Sequence, residues 1–358
     1  MNKILMVDYY GASSLDGKAV GHSPKVAKEY RCLFPEEVQV DAALSPCIAG
    51  EVSDAGFQNI HILRYNIVEA DYQKLFKRIL DKIKILSNIH QAFQLKGYDI
   101  IWFYRVDFFL FFYCIFRLKK KRPIKVCLVY HLDFNHGIMG KIFNVIYRKG
   151  IKKFDGVIFS QKNMKIPHEN TFYMPDYYYD KNEYIKYHKM LKGDRVVCLG
   201  AMNPYKKLEE LIESFNISGY PLEIVGYFFD KDRFEKIKSM SKDNIIVSDR
   251  ILSKDDYYTK LATAKFTILP YDMKQYHNRT SGILIESIFL NVIPIAPNEL
   301  LEVNQVCGIG YQDLKEVTVN ILEKKYDDIL LQNYRKVKNE HNSNRVKSEF
   351  IKWFFKMH

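Results

Sequence analysis

Two short stretches in the second half of the chain combine residue types suited to holding an anion. The first, Gly200-Ala201-Met202-Asn203-Pro204-Tyr205-Lys206-Lys207, follows an apolar run over 195–199. Asn203 is a suitable N-cap and Pro204 suits the first helical position, which places Lys206 and Lys207 in the first turn. Cations there oppose the helix dipole at a cost of about 0.3–1 kcal/mol each, unless an anion docks between lysine and backbone amides. A plain pair of solvated lysines is the alternative. The second stretch is Asn278-Arg279-Thr280-Ser281-Gly282-Ile283-Leu284-Ile285-Glu286. Ser281 is the expected cap of a new helix, and Gly282 lets a ligand come close to the backbone. The amides of Gly282, Ile283 and Leu284 are then expected to face a phosphate, with Arg279 as a bidentate partner.

Glu286 is the odd member of this second stretch. Its helical neighbours three and four positions away are Gly282, Ile283, Phe289 and Leu290, so it does not lie on a polar face. A carboxylate in such surroundings needs donors. Two sugar hydroxyls would supply them, as for the ribose in dinucleotide sites; an arginine or lysine of the same chain would serve as well.

Elements that alternate between extended and helical patterns must position these residues. Strands are expected over 3–8, 59–64, 99–104, 125–130 and 156–160, and again over 195–199, 222–225, 244–247, 265–269 and 292–296. Apolar residues 75, 76, 79, 80, 83, 86 and 89 recur at helical spacing within 71–96. Residues 108–119 read as a crossover helix, since the greasy run 108–116 is half as long as a membrane span. Such alternation implies parallel sheets with right-handed crossovers. The polar, tyrosine-rich residues 174–194 sustain neither period and divide the chain into two Rossmann-like domains, 1–182 and 183–358. Val346, Phe350, Trp353 and Phe354 form an apolar helical stripe that needs a surface, expected on the N-terminal domain.

Composition sets the outer limits. With 358 residues, 47% of them apolar and 27% charged, global disorder is excluded. The six cysteines show no CxxC spacing, which argues against a zinc ribbon or disulfide scaffold. The opening residues lack a signal-peptide pattern, so a reduced cytoplasmic protein is expected. Of the formal +12 charge, residues 1–180 hold 26 Lys and Arg against 18 Asp and Glu. Six cations fall within 117–125, where Lys119, Lys120, Lys121 and Arg122 would suit an anionic membrane surface or simply water. Without aromatic interleaving or an RNP-like segment, nucleic acid is not an expected partner, although a basic nucleic-acid binder stays as an alternative reading.

As an ordered set, these signals resemble the family 4 retaining glycosyltransferases of GT-B fold: Gly200 with Lys206, then residues 221–226, 244–247 and 261–270, the Ser281–Glu286 helix start, and 292–296. The resemblance covers about 190–310 and implies two Rossmann-like domains facing a central cleft. It implies a hexosyl transfer from a nucleotide sugar, UDP being the first choice, to a glycan such as a lipid-linked surface polysaccharide precursor. Lys206 would contact the donor diphosphate, the amides of residues 282–284 would take its phosphates, and Glu286 would hold the ribose. In the family the departing phosphate itself is thought to receive the acceptor proton, and no metal or other cofactor is expected. Two positions depart from the pattern. Ala201 stands where an arginine is common, with Arg279 as a possible substitute, and Asn278 stands where the first of two glutamates serves the donor sugar. These departures allow a catalytically silent partner of another transferase, while a sugar-nucleotide epimerase is a further alternative on the same fold.

The first half resembles the family more loosely. Its loop after the first strand, with Ser13, Gly17 and Gly21, would lie beside phosphate or acceptor, or be an ordinary turn. His131, at the end of a strand, would touch the transferred sugar by the same resemblance; a packed or capping histidine is equally open, and Asp133 is a weaker candidate.

Overall fold

A computed structural model describes residues 3–13, 23–68, 75–117, 123–129, 137–276, 279–323 and 328–357. Two compact units emerge. The first comprises 1–160, 164–174 and 347–358, and the second comprises 161–163 and 175–346.

In the first unit, strands β1 (Lys3–Asp8), β3 (Gln39–Leu44), β4 (Ile60–Ile62), β6 (Ile100–Phe103), β7 (Ile124–Val129), β8 (Gly156–Phe159) and β9 (Thr171–Tyr173) form one parallel sheet in the order β4-β3-β1-β6-β7-β8-β9. Two short strands, β2 (Ala12–Ser13) and β5 (Ile67–Val68), pair separately. Sequence periodicity misses β3 because Asp41 interrupts its apolar pattern. In the folded chain this carboxylate is buried and satisfied by Tyr98 Oη at 2.9 Å, Asn59 Nδ2 at 3.1 Å and Lys3 Nζ at 3.4 Å. Helices Leu75–Gln94, Phe108–Arg117 and Gly137–Ile151 cover one face, around Leu5, Val7, Ile101, Phe103 and Val129.

The opposite face carries Trp102, and the helix Ser343–Lys356 supplies its cover. Phe350 and Phe354 are fully buried, 5.3 and 6.0 Å from the Trp102 ring and 5.4 and 5.2 Å from Phe34. Trp353 stacks on Phe172 at 5.3 Å and donates its indole N–H to Asn170 Oδ1 at 2.8 Å. Of the stripe expected over 346–354, Phe350, Trp353 and Phe354 therefore pack in the first unit, whereas Val346 belongs to the second.

The second unit holds β10 (Val196–Leu199), β11 (Leu222–Gly226), β12 (Ile245–Asp249), β13 (Phe266–Ile268), β14 (Ile293–Pro297) and β15 (Ile309–Tyr311), parallel in the order β12-β11-β10-β13-β14-β15. The chain enters this unit at 175, ahead of the 182–183 division drawn from sequence. Tyr179 explains the difference. It is buried 5.2 Å from Phe289 and pairs with Asn342 in a parallel bridge, so residues before 182 already pack here.

In both sheets the strand order reverses beside the first strand, at β1/β6 and at β10/β13. Open parallel sheets bind ligands at the carboxyl ends of such switch points, because the two diverging loops leave a crevice.

Candidate functional site

At the second unit's switch point, Gly200 follows β10 with φ of 93°, a left-handed conformation that favours glycine. Its neighbour across the sheet is Gly226, where a Cβ would stand 1.6 Å from the Gly200 carbonyl oxygen. Only a residue without a side chain lets these backbones pass. The chain then turns through 203–205, and residues 205–207 are stitched to the loop after β13. Lys206 and Tyr271 form an antiparallel bridge, the Lys207 amide donates to Pro270 O at 2.7 Å, and the Asp272 amide donates to Tyr205 O at 2.7 Å.

This stitching corrects the expected helix start. The helix is Leu208–Ser218, with Lys207 rather than Asn203 at the N-cap position, so neither Lys206 nor Lys207 lies in its first turn. Its phase follows the buried stripe Leu208, Leu211, Ile212 and Phe215. Glu209 and Glu210 occupy the first turn and complement the dipole, and Arg233 pairs with Glu209 at 2.9 Å while donating to Lys206 O at 2.6 Å. That helix end already has its charges met.

Lys206 instead points inward. It is 3% exposed, its Nζ donates to Leu199 O at 2.7 Å, and Met202 Sδ lies 3.8 Å away. The centre of the Tyr271 ring lies 5.9 Å from Nζ. Among the described residues no carboxylate pairs with it. Burial pushes its pKa down, since no anion holds the charged form.

The other half of the site is the helix Gly282–Phe289. Ser281 is its N-cap, as expected, with Oγ accepting the Leu284 amide at 3.5 Å. Tyr271 Oη lies 3.3 Å from the same Oγ and joins this cap to the Lys206 side. Because Ser281 occupies the Leu284 amide, the first-turn donors left without an intrahelical carbonyl are Gly282 and Ile283. A Cβ on Gly282 would meet Tyr177 Oη at 2.7 Å, and a Cβ on Gly200 would meet Ile283 Cδ1 at 3.2 Å. Gly200, Lys206, Ser281, Gly282, Ile283 and Leu284 thus come together around Tyr271. Arg279 stands at the rim, exposed, with its guanidinium 5.7 Å from the centre of the Tyr276 ring. Tyr276 in turn stacks on Tyr271 at 4.1 Å.

Glu286 is half-buried on the same helix and meets two tyrosines. Tyr257 donates to Oε2 at 2.7 Å and Tyr258 to Oε1 at 2.9 Å, and Tyr258 Oη continues to Tyr184 Oη at 3.2 Å. Burial first, then the nearby carboxylate, raises the pKa of both Tyr257 and Tyr258. The donors that sequence reasoning sought from a sugar, an arginine or a lysine include these phenols. A carboxylate oxygen can accept more than one hydrogen bond, so two donors do not exhaust it. Tyr177, Tyr257, Tyr258, Tyr271 and Tyr276 escaped the sequence reading, which took the tyrosine-rich stretches for linker and core. The Tyr271 position, directly after a strand-ending proline, was the available signal.

At the first unit's switch point, Asp8 closes β1. Its Oδ1 accepts the amides of Tyr10 at 3.1 Å and Gly11 at 2.9 Å, while its buried Oδ2 has no partner among the described residues. Tyr9 Oη and Asp107 Oδ1, 2.9 Å apart, tie the loops after β1 and β6 together. Arg105 donates to Ser23 Oγ at 2.8 Å and lies 4.5 Å from the Tyr10 ring centre. Ser13 is buried in β2 with its hydroxyl 3.4 Å from Ile67 O, a structural contact. Gly17, Gly21, Lys119, Lys120, Lys121, Arg122, His131, Asp133 and Asn278 lie outside the described residues. Among the described residues no three His, Cys, Asp or Glu side chains gather as metal ligands would, and no helix is long and apolar enough to cross a membrane.

No protein-family model matches the chain, and no curated protein matches it by sequence. Solved structures do resemble it. The N-terminal domain of trehalose-6-phosphate phosphatase from Candida albicans is 12% identical with a TM-score of 0.65, over 100% of this chain and 97% of that one. Alr3699/HepE of Anabaena, in complex with UDP-glucose, is 12% identical with a TM-score of 0.60, over 99% of this chain and 100% of that one. A UDP-forming alpha,alpha-trehalose-phosphate synthase from Burkholderia xenovorans, in complex with glucose-6-phosphate, is 8% identical with a TM-score of 0.62, over 98% of this chain and 100% of that one. These likenesses show the fold: GT-B class, with two Rossmann-like α/β units in one chain.

Proposed function

We propose that the chain is a retaining glycosyltransferase that takes a hexose from a nucleoside diphosphate sugar, UDP being preferred. One observation carries this reading. Lys206 is a buried lysine with no described carboxylate, set beside Gly200 and joined through Tyr271 to the Ser281 cap of the helix Gly282–Phe289. A buried cation whose described surroundings are a carbonyl, a thioether, a ring face and the Cys198 thiol is under-compensated. A diphosphate at the same switch point would supply the missing charge and accept from the Gly282 and Ile283 amides. Binding of UDP-glucose by a structure of the same fold supports the choice of nucleotide.

In this reading Lys206 and the amides stabilise negative charge as the diphosphate leaves, and Arg279 swings from Tyr276 to add to them. Glu286 adds the ribose hydroxyls to its two phenols. The departing phosphate takes the acceptor proton, so no enzymic nucleophile is required. The first unit receives the acceptor at its own switch point, where the Asp8 oxygen left without a partner among the described residues suits a hydroxyl donor, with His131 as a further candidate. A lipid-linked surface glycan is the proposed acceptor class, with Lys119, Lys120, Lys121 and Arg122 facing anionic lipid from the cytoplasmic side.

Calorimetry with UDP, GDP and ADP, followed by mass spectrometry of products from their sugars, tests the proposal. Saturable binding of one nucleotide that Lys206→Ala weakens is the expected result. No binding by any of the three overturns it, whereas binding with neither hydrolysis nor transfer would instead favour the silent-partner reading that Ala201 and Asn278 allow.

A further inference from the structure

In the first unit, the helices Leu75–Gln94, Phe108–Arg117 and Gly137–Ile151 lie side by side on the sheet. Their inner sides are buried, but their outer sides are not those of ordinary solvated helices. Ile83 is 63% exposed, Phe116 69% and Val145 52%, and Leu80, Phe112 and Ile142 are also exposed. The phenylalanines of the second and third helices form a connected ridge. Phe143 lies 4.4 Å from Phe108, Phe108 stacks on Phe112 at 6.1 Å, and Phe112 lies 4.8 Å from Phe116. On the third helix, Lys141, Ile142, Val145, Arg148 and Lys149 recur at three- and four-residue spacing and are all exposed, so cations alternate with apolar residues on one face.

Charge on these helices is one-sided. Their sequences hold eight lysines and arginines against one acid, Asp81, which is buried and paired with Lys84 at 2.6 Å. Lys82 lies over the edge of the same surface, 4.9 Å from the Phe109 ring centre. An apolar ridge flanked by cations, with no exposed acid among the described residues of its three helices, matches the boundary between lipid headgroups and acyl chains, where aromatic and aliphatic side chains sink a few ångströms and lysines meet anionic headgroups.

We propose that this three-helix face docks on anionic phospholipid bilayers, with Ile83, Phe112, Phe116, Ile142 and Val145 entering the interface and Lys82, Lys141, Arg148 and Lys149 facing the headgroups. The proposal extends the anionic-lipid contact of the proposed function to a described surface, yet it is argued from that surface alone, so its failure leaves the nucleotide-binding reading standing.

Co-sedimentation of the whole chain with vesicles of phosphatidylcholine mixed with phosphatidylglycerol, beside vesicles of phosphatidylcholine alone, tests it without nucleotide or acceptor. The mixed vesicles should retain the protein at low salt and release most of it at high salt. Ile83→Ser, Phe116→Ser and Val145→Ser together should cut the partition coefficient about tenfold or more. These positions are exposed, so the variant should keep its circular dichroism spectrum and its nucleotide affinity. The triple change Lys141→Gln, Arg148→Gln and Lys149→Gln should lower binding to mixed vesicles by a similar factor. Equal binding of the native chain to both vesicles, no binding to either, or serine variants that bind like the native chain would each overturn the proposal. So would a concentration-dependent dimer in analytical ultracentrifugation that the serine changes abolish, which would make the face a contact between two copies.

Discussion

Lys206 and Tyr271 are paired twice: through their backbones in an antiparallel bridge, and through an ammonium 5.9 Å from the ring centre. Tyr271 also reaches Ser281 Oγ, so the residue that positions the cation positions the helix cap as well. Replacing Lys206 should therefore act on binding far more than on folding. Lys206→Ala should weaken nucleoside diphosphate binding about tenfold to a hundredfold, the worth of a charge-assisted hydrogen bond of about 1.5–3 kcal/mol. Lys206→Met, which keeps the volume and removes a buried charge, should melt no lower than the native chain. Calorimetry and thermal denaturation measure the two effects, and an unchanged affinity would remove Lys206 from the site.

Acid-base linkage gives the same pair a second signature. Burial lowers the Lys206 pKa in the free protein, and a bound diphosphate would raise it again. Binding should then take up protons in alkaline buffers, and affinity should fall as pH rises through the free protein's Lys206 pKa. Titrations in buffers of different ionisation enthalpy measure this uptake, which Lys206→Met should abolish.

Glu286→Ala leaves the Tyr257 hydroxyl without its acceptor, while the Tyr258 hydroxyl can turn to Tyr184 Oη. An unsatisfied group of this kind costs about 1–3 kcal/mol, so the urea midpoint should drop. Tyr257→Phe in a Glu286→Ala background should recover part of the loss. Additive losses in the double variant would mean that the two side chains are not coupled in solution.

His341 ties two segments of the second unit. Its Nδ1 lies 2.7 Å from Tyr177 O, and its carbonyl accepts the Tyr179 amide at 2.7 Å. Burial lowers its pKa from 6.5 to about 4, so between these values the unfolded chain binds more protons than the folded one. Stability contributed by neutral His341 is complete above pH 6.5 and is lost as pH falls toward 4, by about 3 kcal/mol in all. Denaturant melts at pH 7 and pH 4.5 should show that loss, and His341→Gln should flatten the profile.

Phe350→Ala should cost about 3–5 kcal/mol, because Phe350 fills the space between Phe34 and Trp102 with no exposure. Tryptophan fluorescence during urea unfolding reads this directly, since Trp102 lies against the vacated volume.

Strand and helix alternation in the sequence carried most of the fold, because strands buried on both faces are written as β-branched runs, as in β10 and β11. It failed where function or pairing overrode the local pattern. Asp41 hides β3, since a buried carboxylate looks polar until Tyr98 and Asn59 are brought to it from distant positions. The capping pattern at Asn203-Pro204 pointed to a helix that begins at Leu208, because local propensity cannot foresee that residues 205–207 will pair with 270–272. The cap at Ser281 was legible, for it depends on residues within one turn. The phenols around Glu286 were not, since Tyr257 and Tyr258 reach it from another helix.

The covering of Trp102 by residues 347–358 has a consequence for synthesis. Most of the first unit leaves the ribosome before most of the second, yet Trp102, already flanked by Tyr30 and Phe34, meets Phe350 and Phe354 only when the end of the helix Ser343–Lys356 is made. The nascent first half therefore carries part of its aromatic sheet face uncovered until residues 347–358 emerge, while residues 175–346 already hold every strand of the second sheet.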